Sequence, residues 1–135
     1  MRIQKLNLYS KKKYRIPKIV VKLIWDFFGK PLFSSYIPGT YWRKLILRIF
    51  GAKIGKGGKI KTNIKISEPW HLSIGDHCWI GENVWIDNLA LVKIGNRVCI
   101  SQGVYFCTGN HNYKKDLFDL ILEKIVIEDD CWIAA

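Results

Sequence analysis

Three histidines are the side chains in this sequence best suited to moving protons near neutral pH. They are His71, His77 and His111. His111 follows Cys107 by four residues, and a cysteine next to an imidazole is one arrangement that makes a covalent nucleophile. The alternative is that Cys107 is a small side chain on a crowded strand. Which of these groups does chemistry depends on the elements that position them.

A six-residue repeat supplies those elements. An apolar residue recurs every six positions in three blocks that start twenty residues apart, and the spacing resumes near the C-terminus. Helices need spacings of three and four, so this period excludes them and predicts the short strands of a parallel β-helix. Three six-residue units and a two-residue insertion complete one coil of a triangular prism. The residues predicted to point inward are Ile54, Ile60, Ile66, Ile74, Ile80, Ile86, Ile94, Ile100, Phe106, Ile127 and Ile133.

The third coil is interrupted after His111. The repeat that begins at Ile94 should restart near residue 114, but it resumes at Ile127, which leaves thirteen extra residues. Long loops in compact repeats are usually functional or disordered. We predict an inserted loop at about residues 112–124 that its apolar residues keep ordered. The sequence stops at Ala135, three residues into a hexad, from which we expect a C-terminally truncated β-helix that lacks further coils.

Histidines and cysteines also bind metals, and their spacing tests that chemistry. The β-helical carbonic anhydrases, which resemble this repeat, hold zinc with three imidazoles. Here His71 and His77 are six residues apart, which puts them on different sides of the prism. The sequence therefore predicts no metal site. The cysteines form no Cys-x-x-Cys pair and are predicted to be reduced thiols, with the first and last in the core: Cys78, Cys99, Cys107 and Cys131.

Residues 1–53 differ from the rest in charge and periodicity. They hold 13 Lys and Arg against one acid, a net charge of +12, whereas residues 54–135 hold 9 against 10, a net charge of −1. Apolar residues at helical spacing predict two short amphipathic helices, joined through Pro31 to Gly39, with Pro17 in the first turn. We predict that residues 1–53 form a helical cap on a β-helix of residues 54–135. A second interpretation adds peripheral contact of this basic surface with an anionic membrane.

The composition also limits location and partners. No apolar run reaches the roughly 18 residues of a membrane span, and the basic N-terminus lacks the apolar core of a secretion signal. The sequence therefore predicts a cytoplasmic protein, located at the inner face of the membrane if the basic helices bind lipid. None of the usual nucleic-acid motifs follows the basic segment, so no nucleic-acid partner is predicted.

Residues 54–135 resemble the hexapeptide-repeat acyltransferases, whose fold is a left-handed parallel β-helix. Within that group the sequence looks like the acetyltransferases of colanic acid and other exopolysaccharide biosynthesis, and the basic N-terminal helices look like that subfamily as well. The most specific stretch runs from Cys107 to Tyr113 and into the loop that follows. The segments that carry the resemblance are Phe50-Gly51-Ala52-Lys53-Ile54-Gly55, Pro69-Trp70, Ile74-Gly75-Asp76-His77, Trp79-Ile80-Gly81, Trp85-Ile86-Asp87-Asn88-Leu89-Ala90, Ile100-Ser101-Gln102-Gly103, Cys107-Thr108-Gly109-Asn110-His111-Asn112-Tyr113 and Phe118-Asp119-Leu120.

The resemblance implies a reaction and a role for His111. In these enzymes the matching histidine is the general base that takes the proton of a sugar hydroxyl, which then attacks the thioester of acetyl-CoA. The acyl group passes directly to the acceptor, which favours the plain interpretation of Cys107. Three subunits pack side by side with the active sites in the grooves between them. We therefore expect acetyl-CoA as the co-substrate and a homotrimer.

The resemblance also suggests residues around the base. Asn88 matches a polar residue that contacts the acceptor in related sugar acetyltransferases, and Asp87 sits at the same corner. Trp85 and Tyr105 fall in one outward column, which is typical of a contact surface. The expected acceptor-binding set is Trp85, Asp87, Asn88, Asn110 and Tyr113, and the expected acetyl-CoA groove positions are Trp132 and Ala135.

The sequence thus predicts an acetyl-CoA-dependent O-acetyltransferase. Its acceptor would be a sugar hydroxyl of a surface polysaccharide, such as a colanic acid-like polymer, capsule or O-antigen, or of a lipid-linked oligosaccharide precursor. The alternative is a non-catalytic remnant of such an enzyme, a structural or interaction module that keeps the acceptor-facing loop without the cofactor groove.

Overall fold

The computed structural model describes residues 4–9 and 19–135, so Pro17 lies outside the described residues. The helical elements are a 3-10 turn (Leu6–Leu8), α1 (Ile19–Ile24), a π-helical turn (Trp25–Gly29), α2 (Lys30–Ser34), α3 (Tyr41–Ile49) and a 3-10 turn (Pro69–His71). The strands are β1 (Lys53–Ile54), β2 (Lys59–Ile60), β3 (Lys65–Ile66), β4 (Leu72–Ile74), β5 (Trp79–Ile80), β6 (Trp85–Asp87), β7 (Val92–Ile94), β8 (Cys99–Ile100), β9 (Tyr105–Cys107), β10 (Gly109–His111), β11 (Leu120–Leu122), β12 (Ile125–Ile127) and β13 (Trp132–Ile133).

Three parallel sheets form the sides of a prism, in the orders β1-β4-β7-β12, β2-β5-β8-β13 and β3-β6-β9. Paired residues are twenty apart in sequence, as Ile54 with Ile74 and Ile60 with Ile80. Between the third and fourth coils the separation becomes 33, as Ile94 pairs with Ile127. This arrangement of short stacked parallel strands fits the left-handed parallel β-helix that the sequence predicts.

The core of the prism is the column of residues predicted to point inward. From Ile60 to Ile127 these side chains are at most 7% exposed, and Ile54 and Ile133 pack partly buried at the two ends. Burying one such side chain contributes about 1.5–3 kcal/mol, so the stack is the main source of stability. Cys78 is buried in the same core, and Cys131 packs against it, as expected for both.

The insertion in the third coil is an antiparallel hairpin. β10 and β11 pair so that His111 lies opposite Leu120. The hairpin begins at Gly109, earlier than the predicted loop of residues 112–124, because the chain leaves the third sheet directly after β9. The chain passes from the third sheet into the hairpin at Thr108. The Thr108 N–H still donates to the Asp87 carbonyl of the preceding coil, whereas the Thr108 carbonyl accepts from the N–H of Glu123, which follows the hairpin.

The first helical segment runs further than the sequence predicts. Pro31 was expected in the connection between two helices, but it lies at the start of α2, and α1, the π-helical turn and α2 follow one another without a break. Proline removes one helical hydrogen bond and crowds the preceding turn. The wider π-helical turn directly before α2 provides the room, and π-turns commonly occur where the regular ladder is interrupted.

These helices cover the open edge of the first coil. Strand edges carry unpaired backbone carbonyls, which need donors. The helices supply them as side chains: Trp25 Nε1 to the Ile66 carbonyl (3.0 Å), the Ser34 hydroxyl to Ile64 (2.7 Å), the Thr40 hydroxyl to Ile60 (3.3 Å), the Lys44 ammonium to Gly55 (3.3 Å) and Gly57, and Arg48 Nη2 to Ile54 (2.9 Å).

α3 buries two cationic residues together with the apolar Leu47. Arg43 and Lys44 are 1% and 9% exposed, and burial lowers the pKa of both. The sequence spacing predicts Leu45 and Ile49 on the apolar face that packs, but they are 50% and 70% exposed. Lys44 turns inward because the edge of the β-helix offers carbonyl groups to its cap. Arg43 turns inward to carbonyls of the cap itself, those of Phe33, Ser35 and Gly39. Within the described residues, no helix is long and apolar enough to cross a membrane.

Candidate active site

His111 is held from three sides. Its Nδ1 lies 2.9 Å from the carbonyl oxygen of Phe118, and the Phe118 ring stacks on the imidazole with centroids 4.4 Å apart. Tyr9 approaches edge-on at 5.4 Å. A carbonyl oxygen only accepts hydrogen bonds, so the Nδ1 that faces it carries the proton. Nε2 then keeps its lone pair, as a general base requires.

The contacts of His111 with Phe118 come with a strained backbone conformation in the hairpin loop. Phe118 has φ +53°, in the left-handed region that bulky residues rarely adopt. Such a conformation costs about 1–3 kcal/mol and persists where surrounding structure fixes it. Here it directs both the ring and the carbonyl of one residue at the imidazole. Tyr9 gave no sequence signal because it is a single aromatic, about a hundred residues before His111 along the chain.

Asn110 and Tyr113 flank His111 as expected from their sequence positions. The Asn110 side-chain oxygen accepts from the backbone N–H of His111 at 2.8 Å, and Tyr113 is exposed on the loop. A cleft of about 310 Å³ opens beside the hairpin. It is lined by Cys107, Thr108, Gly109, Asn110, Glu123 and Lys124 among others. Cys107 Sγ donates to the Gly109 carbonyl at 3.2 Å, so it is turned toward the backbone rather than toward the imidazole.

Trp85 and Asp87 lie on β6, in the sheet from which the hairpin departs. The Trp85 ring packs on Tyr105 with centroids 4.6 Å apart, and both are exposed, which matches the predicted outward column. The Asp87 carboxylate accepts from the Ser67 hydroxyl at 2.8 Å and lies 3.4 Å from the Tyr105 hydroxyl. A side-chain hydrogen bond with Cys107, together with burial and the Asp87 charge, raises the pKa of Tyr105 to about 12. Tyr105 is therefore a neutral donor at physiological pH.

Asn88 does not fit the acceptor role expected of it. Its side chain is fully buried. The amide oxygen accepts from the Glu68 N–H at 3.0 Å, and the amide nitrogen donates to the carbonyls of Glu68 (2.9 Å) and His71 (3.0 Å). All of these partners are backbone groups of the preceding coil. The structure thus corrects the prediction: Asn88 joins two coils at a corner and is not accessible to an acceptor.

Trp132 and Ala135, expected in the acetyl-CoA groove, lie on the last coil. Trp132 is 73% exposed and its Nε1 donates to the Ser101 hydroxyl at 2.8 Å. β13, which carries Trp132, belongs to the sheet of β2, β5 and β8, whereas the His111 hairpin follows β9 in another sheet. One chain therefore puts these residues on different sides of the prism.

His71 contacts a buried carboxylate. Its Nδ1 lies 2.9 Å from the Glu68 carboxylate, whose side chain is 1% exposed, while the imidazole is 30% exposed. His77 has a left-handed backbone (φ +56°) and donates its N–H to the Lys56 carbonyl, as suits a structural corner. Across residues 4–9 and 19–135, no three His, Cys, Asp or Glu side chains are grouped to hold a metal ion.

The stacked hexads and the hairpin-borne histidine define the class of fold and site: a hexapeptide-repeat β-helix with an oriented imidazole at a coil corner. The chain is similar to "Putative colanic acid biosynthesis acetyltransferase WcaF" of Escherichia coli (strain K12) and to the protein of the same name in Shigella flexneri. Each is 43% identical over 93 residues, which is 69% of this chain and 51% of the relative. These matches confirm the predicted resemblance to acetyltransferases of colanic acid biosynthesis.

The chain spans about half the length of these curated relatives. No protein-family model and no solved structure matches it.

Proposed function

We propose that this protein is an acetyl-CoA-dependent O-acetyltransferase that modifies a sugar hydroxyl in surface-polysaccharide biosynthesis. One observation carries the proposal: the His111 imidazole is oriented by the Phe118 carbonyl so that Nε2 keeps a lone pair. Its similarity to proteins named as colanic acid biosynthesis acetyltransferases supports the same reaction class. A general base of this kind contributes typically about 10²–10⁴-fold to a rate.

The proposed reaction has one chemical step assisted by His111. Nε2 takes the proton of the acceptor hydroxyl while the hydroxyl oxygen attacks the carbonyl carbon of the thioester. The carbon–sulfur bond then breaks, the acetyl group stays on the sugar oxygen, and the imidazolium returns its proton to the departing thiolate. Backbone N–H groups near the coil corner would hold the negative oxygen of the tetrahedral intermediate.

The acceptor surface in this proposal is the face that carries Trp85 and Asp87. Flat apolar rings pack on sugars, and a carboxylate accepts from their hydroxyls. Ser67 holds Asp87, and Tyr105 holds Trp85, so both groups are positioned before an acceptor arrives. Asn110 in β10 and Tyr113 in the loop that follows complete the proposed acceptor-binding set.

The proposed assembly is a homotrimer, with acetyl-CoA between neighbouring subunits. The separation of Trp132 and the His111 hairpin onto different sides of one prism supports it, because a neighbouring copy can bring the two sides together. Trp132 and Ala135 would contact acetyl-CoA in such a groove. The proposed location is the cytoplasm, at the inner face of the membrane where lipid-linked oligosaccharides are available.

The test is acetyl-CoA consumption by the 135-residue chain with a panel of acceptor sugars, followed by release of the CoA thiol and by mass analysis of the product. We expect acceptor-dependent thiol release that His111→Gln lowers by about 10²–10⁴-fold. His77→Asn, which changes a corner histidine and tolerates its left-handed backbone, is the matched control and should retain the rate. Wild-type chain that releases no thiol with any acceptor would favour a structural or interaction module instead.

A further inference from the structure

The first helical segment turns paired apolar residues away from the prism. Its sequence has a four-residue pattern in which two apolar residues are exposed, the third position packs inward, and the fourth is polar. The inward positions include Trp25, Gly29 and Phe33, all fully or almost fully buried. The exposed residues, 47–74% accessible, are Ile19, Val20, Leu23, Ile24, Phe27, Phe28 and Leu32.

The π-helical turn keeps these residues in line. With 3.6 residues per turn, each four-residue step drifts by about 40°, or about 120° over three steps. A π-helical turn holds more residues per turn and takes up part of that drift. Phe27 and Phe28, which lie within it, are thereby kept on the outward face and are 71% and 74% exposed.

The second helix adds to the same outward surface. In α3 the residues Tyr41, Leu45 and Ile49 are spaced by four and are 82%, 50% and 70% exposed. The buried residues of α3 are Arg43, Lys44 and Leu47, and Lys44 donates to the Gly55 carbonyl of the first coil. Both helices therefore pack on the end of the prism with part of their side chains and turn a second set of apolar side chains outward. The cap face is defined here as these outward residues of α1, the π-helical turn, α2 and α3.

A collar of lysines surrounds the prism next to the cap face. All three strands of the first coil begin with an exposed lysine, and two more lie between them, whereas the second coil has serine or tryptophan at the strand positions. No acidic residue occurs between positions 27 and 67. The collar consists of Lys53, Lys56, Lys59, Lys61 and Lys65.

We propose that the cap face docks this protein onto an anionic lipid bilayer, with its apolar side chains in the interface and the lysine collar at the headgroups. The outer face of a capping element is ordinarily polar for solubility, and an apolar patch of this size marks an interaction site. Basic residues around an apolar surface are the composition that anionic membranes bind. A second copy of the chain fits less well, because two such faces would bring their positive collars together.

Docking of this kind orients the prism with its axis away from the membrane. Coils are spaced by about 4.8 Å, so the His111 hairpin on the third coil lies about 10 Å above the first coil. The cap helices lie between the first coil and the bilayer and add one helix diameter, about 10 Å, to the distance. This height suits the sugar of a lipid-linked acceptor, which is where the docking rests on the proposed function. In a trimer with parallel axes, three cap faces would meet the membrane together.

The first test is co-sedimentation of the full chain with vesicles of phosphatidylcholine, with and without phosphatidylglycerol. We expect binding to the anionic vesicles, weakened by salt, and at least about tenfold weaker affinity for Phe27→Ser/Phe28→Ser. Val126→Ser, an exposed apolar residue on the last coil, is the matched control and should bind as the wild type. Absence of binding, or equal binding to both vesicle types, overturns the proposal.

A second pair of variants tests the collar without touching the apolar face. Lys53→Gln/Lys56→Gln/Lys61→Gln should weaken binding to anionic vesicles by at least about tenfold. The control, Lys93→Gln/Lys114→Gln/Lys124→Gln, removes the same charge from later coils and should weaken it far less. Equal losses would mean that net charge alone drives binding, which contradicts docking through this end.

Two further readouts separate the alternatives. Sedimentation velocity without lipid shows whether Phe27→Ser/Phe28→Ser dissociates an oligomer, and that result would assign the face to a second copy and overturn the proposal. Vesicle binding is measured without acetyl-CoA, so a chain that transfers no acetyl group but binds anionic vesicles contradicts only the proposed function. A chain that transfers acetyl groups to soluble acceptors and ignores vesicles contradicts only the docking.

Discussion

Two corners of the prism hold an oriented imidazole, and they hold it differently. At the first, His71 faces the buried carboxylate of Glu68, three residues before it in the same turn. At the second, His111 faces the neutral carbonyl of Phe118 on the far side of an inserted hairpin. The two histidines sit in the same column of the repeat, forty residues apart.

This difference distinguishes His71, which holds the fold together, from His111, which we propose as the general base. At the first corner the ring of His71 contacts the Glu68 carboxylate, and the His71 carbonyl accepts a hydrogen bond from Asn88 of the next coil, so both parts of the residue join elements of the fold. The His111 corner has a strained backbone at Phe118, whose carbonyl and ring hold the imidazole in place. Backbone strain of this kind is a feature expected where a side chain acts on a ligand.

The largest effect expected at the His71 corner follows removal of Asn88. Asn88→Ala deletes three buried hydrogen bonds and should lower the free energy of unfolding by about 2–4 kcal/mol. Denaturant unfolding measures the change, and Gln102→Ala, an exposed amide on a neighbouring coil, should stay within about 0.5 kcal/mol. Unchanged stability with a raised KM for the acceptor would instead restore the acceptor role of Asn88.

At the His111 corner, we expect Phe118 to act as a positioning residue. Phe118→Asn keeps a residue that tolerates the left-handed backbone but removes the stacked ring. The kcat should fall about tenfold with little change in acceptor KM, because small displacements of a reacting group are costly. Phe118→Tyr retains an aromatic ring and should recover most of the rate. If KM alone changes, the ring contacts the acceptor and does not position the base.

The smallest expected effect on stability is that of Asp129, whose carboxylate is half-exposed, in contrast to the buried carboxylate of Glu68. The backbone N–H of Asn96 donates to Asp129 at 2.7 Å and holds the pKa of that carboxyl below its ordinary value of 3.8. A lowered folded-state pKa stabilises the protein above pH 3.8, and the contribution is lost as the pH falls through the folded value. Asp129→Ala should therefore lower the melting temperature slightly at pH 7 and by less at pH 3. A difference that grows on acidification would reverse this assignment.

The prism could be predicted from sequence because its signal is strictly local. A period of six with one inward residue per strand leaves little choice of register, and the pairs Ile60–Ile80 and Ile66–Ile86 follow directly. The outward stack of Trp85 on Tyr105 follows from the same count. The hairpin was recognised only as extra length, since Gly109 and Asn110 carry no strand signal of their own.

The cap and the two corners could not be predicted in the same way. Helical spacing identifies an apolar side of α3 but does not reveal that Arg43 donates to carbonyls within the cap and Lys44 to a carbonyl of the first coil. Asn88 and Asp87 are both ordinary turn residues in sequence, and only the stacking of coils turns one inward and the other outward. The contact of Tyr9 with His111 depends on chain ends far apart in sequence.

The most direct test of the account compares His111→Gln with His71→Gln in the same preparation, measuring acceptor-dependent thiol release and the free energy of unfolding for each. We predict that His111→Gln lowers the rate about 10²–10⁴-fold with stability nearly unchanged. His71→Gln should retain the rate while losing about 1–3 kcal/mol of stability, because it removes the ring that contacts buried Glu68. The opposite pattern, with the rate lost at His71 and retained at His111, would contradict the assignment of His111 as the base.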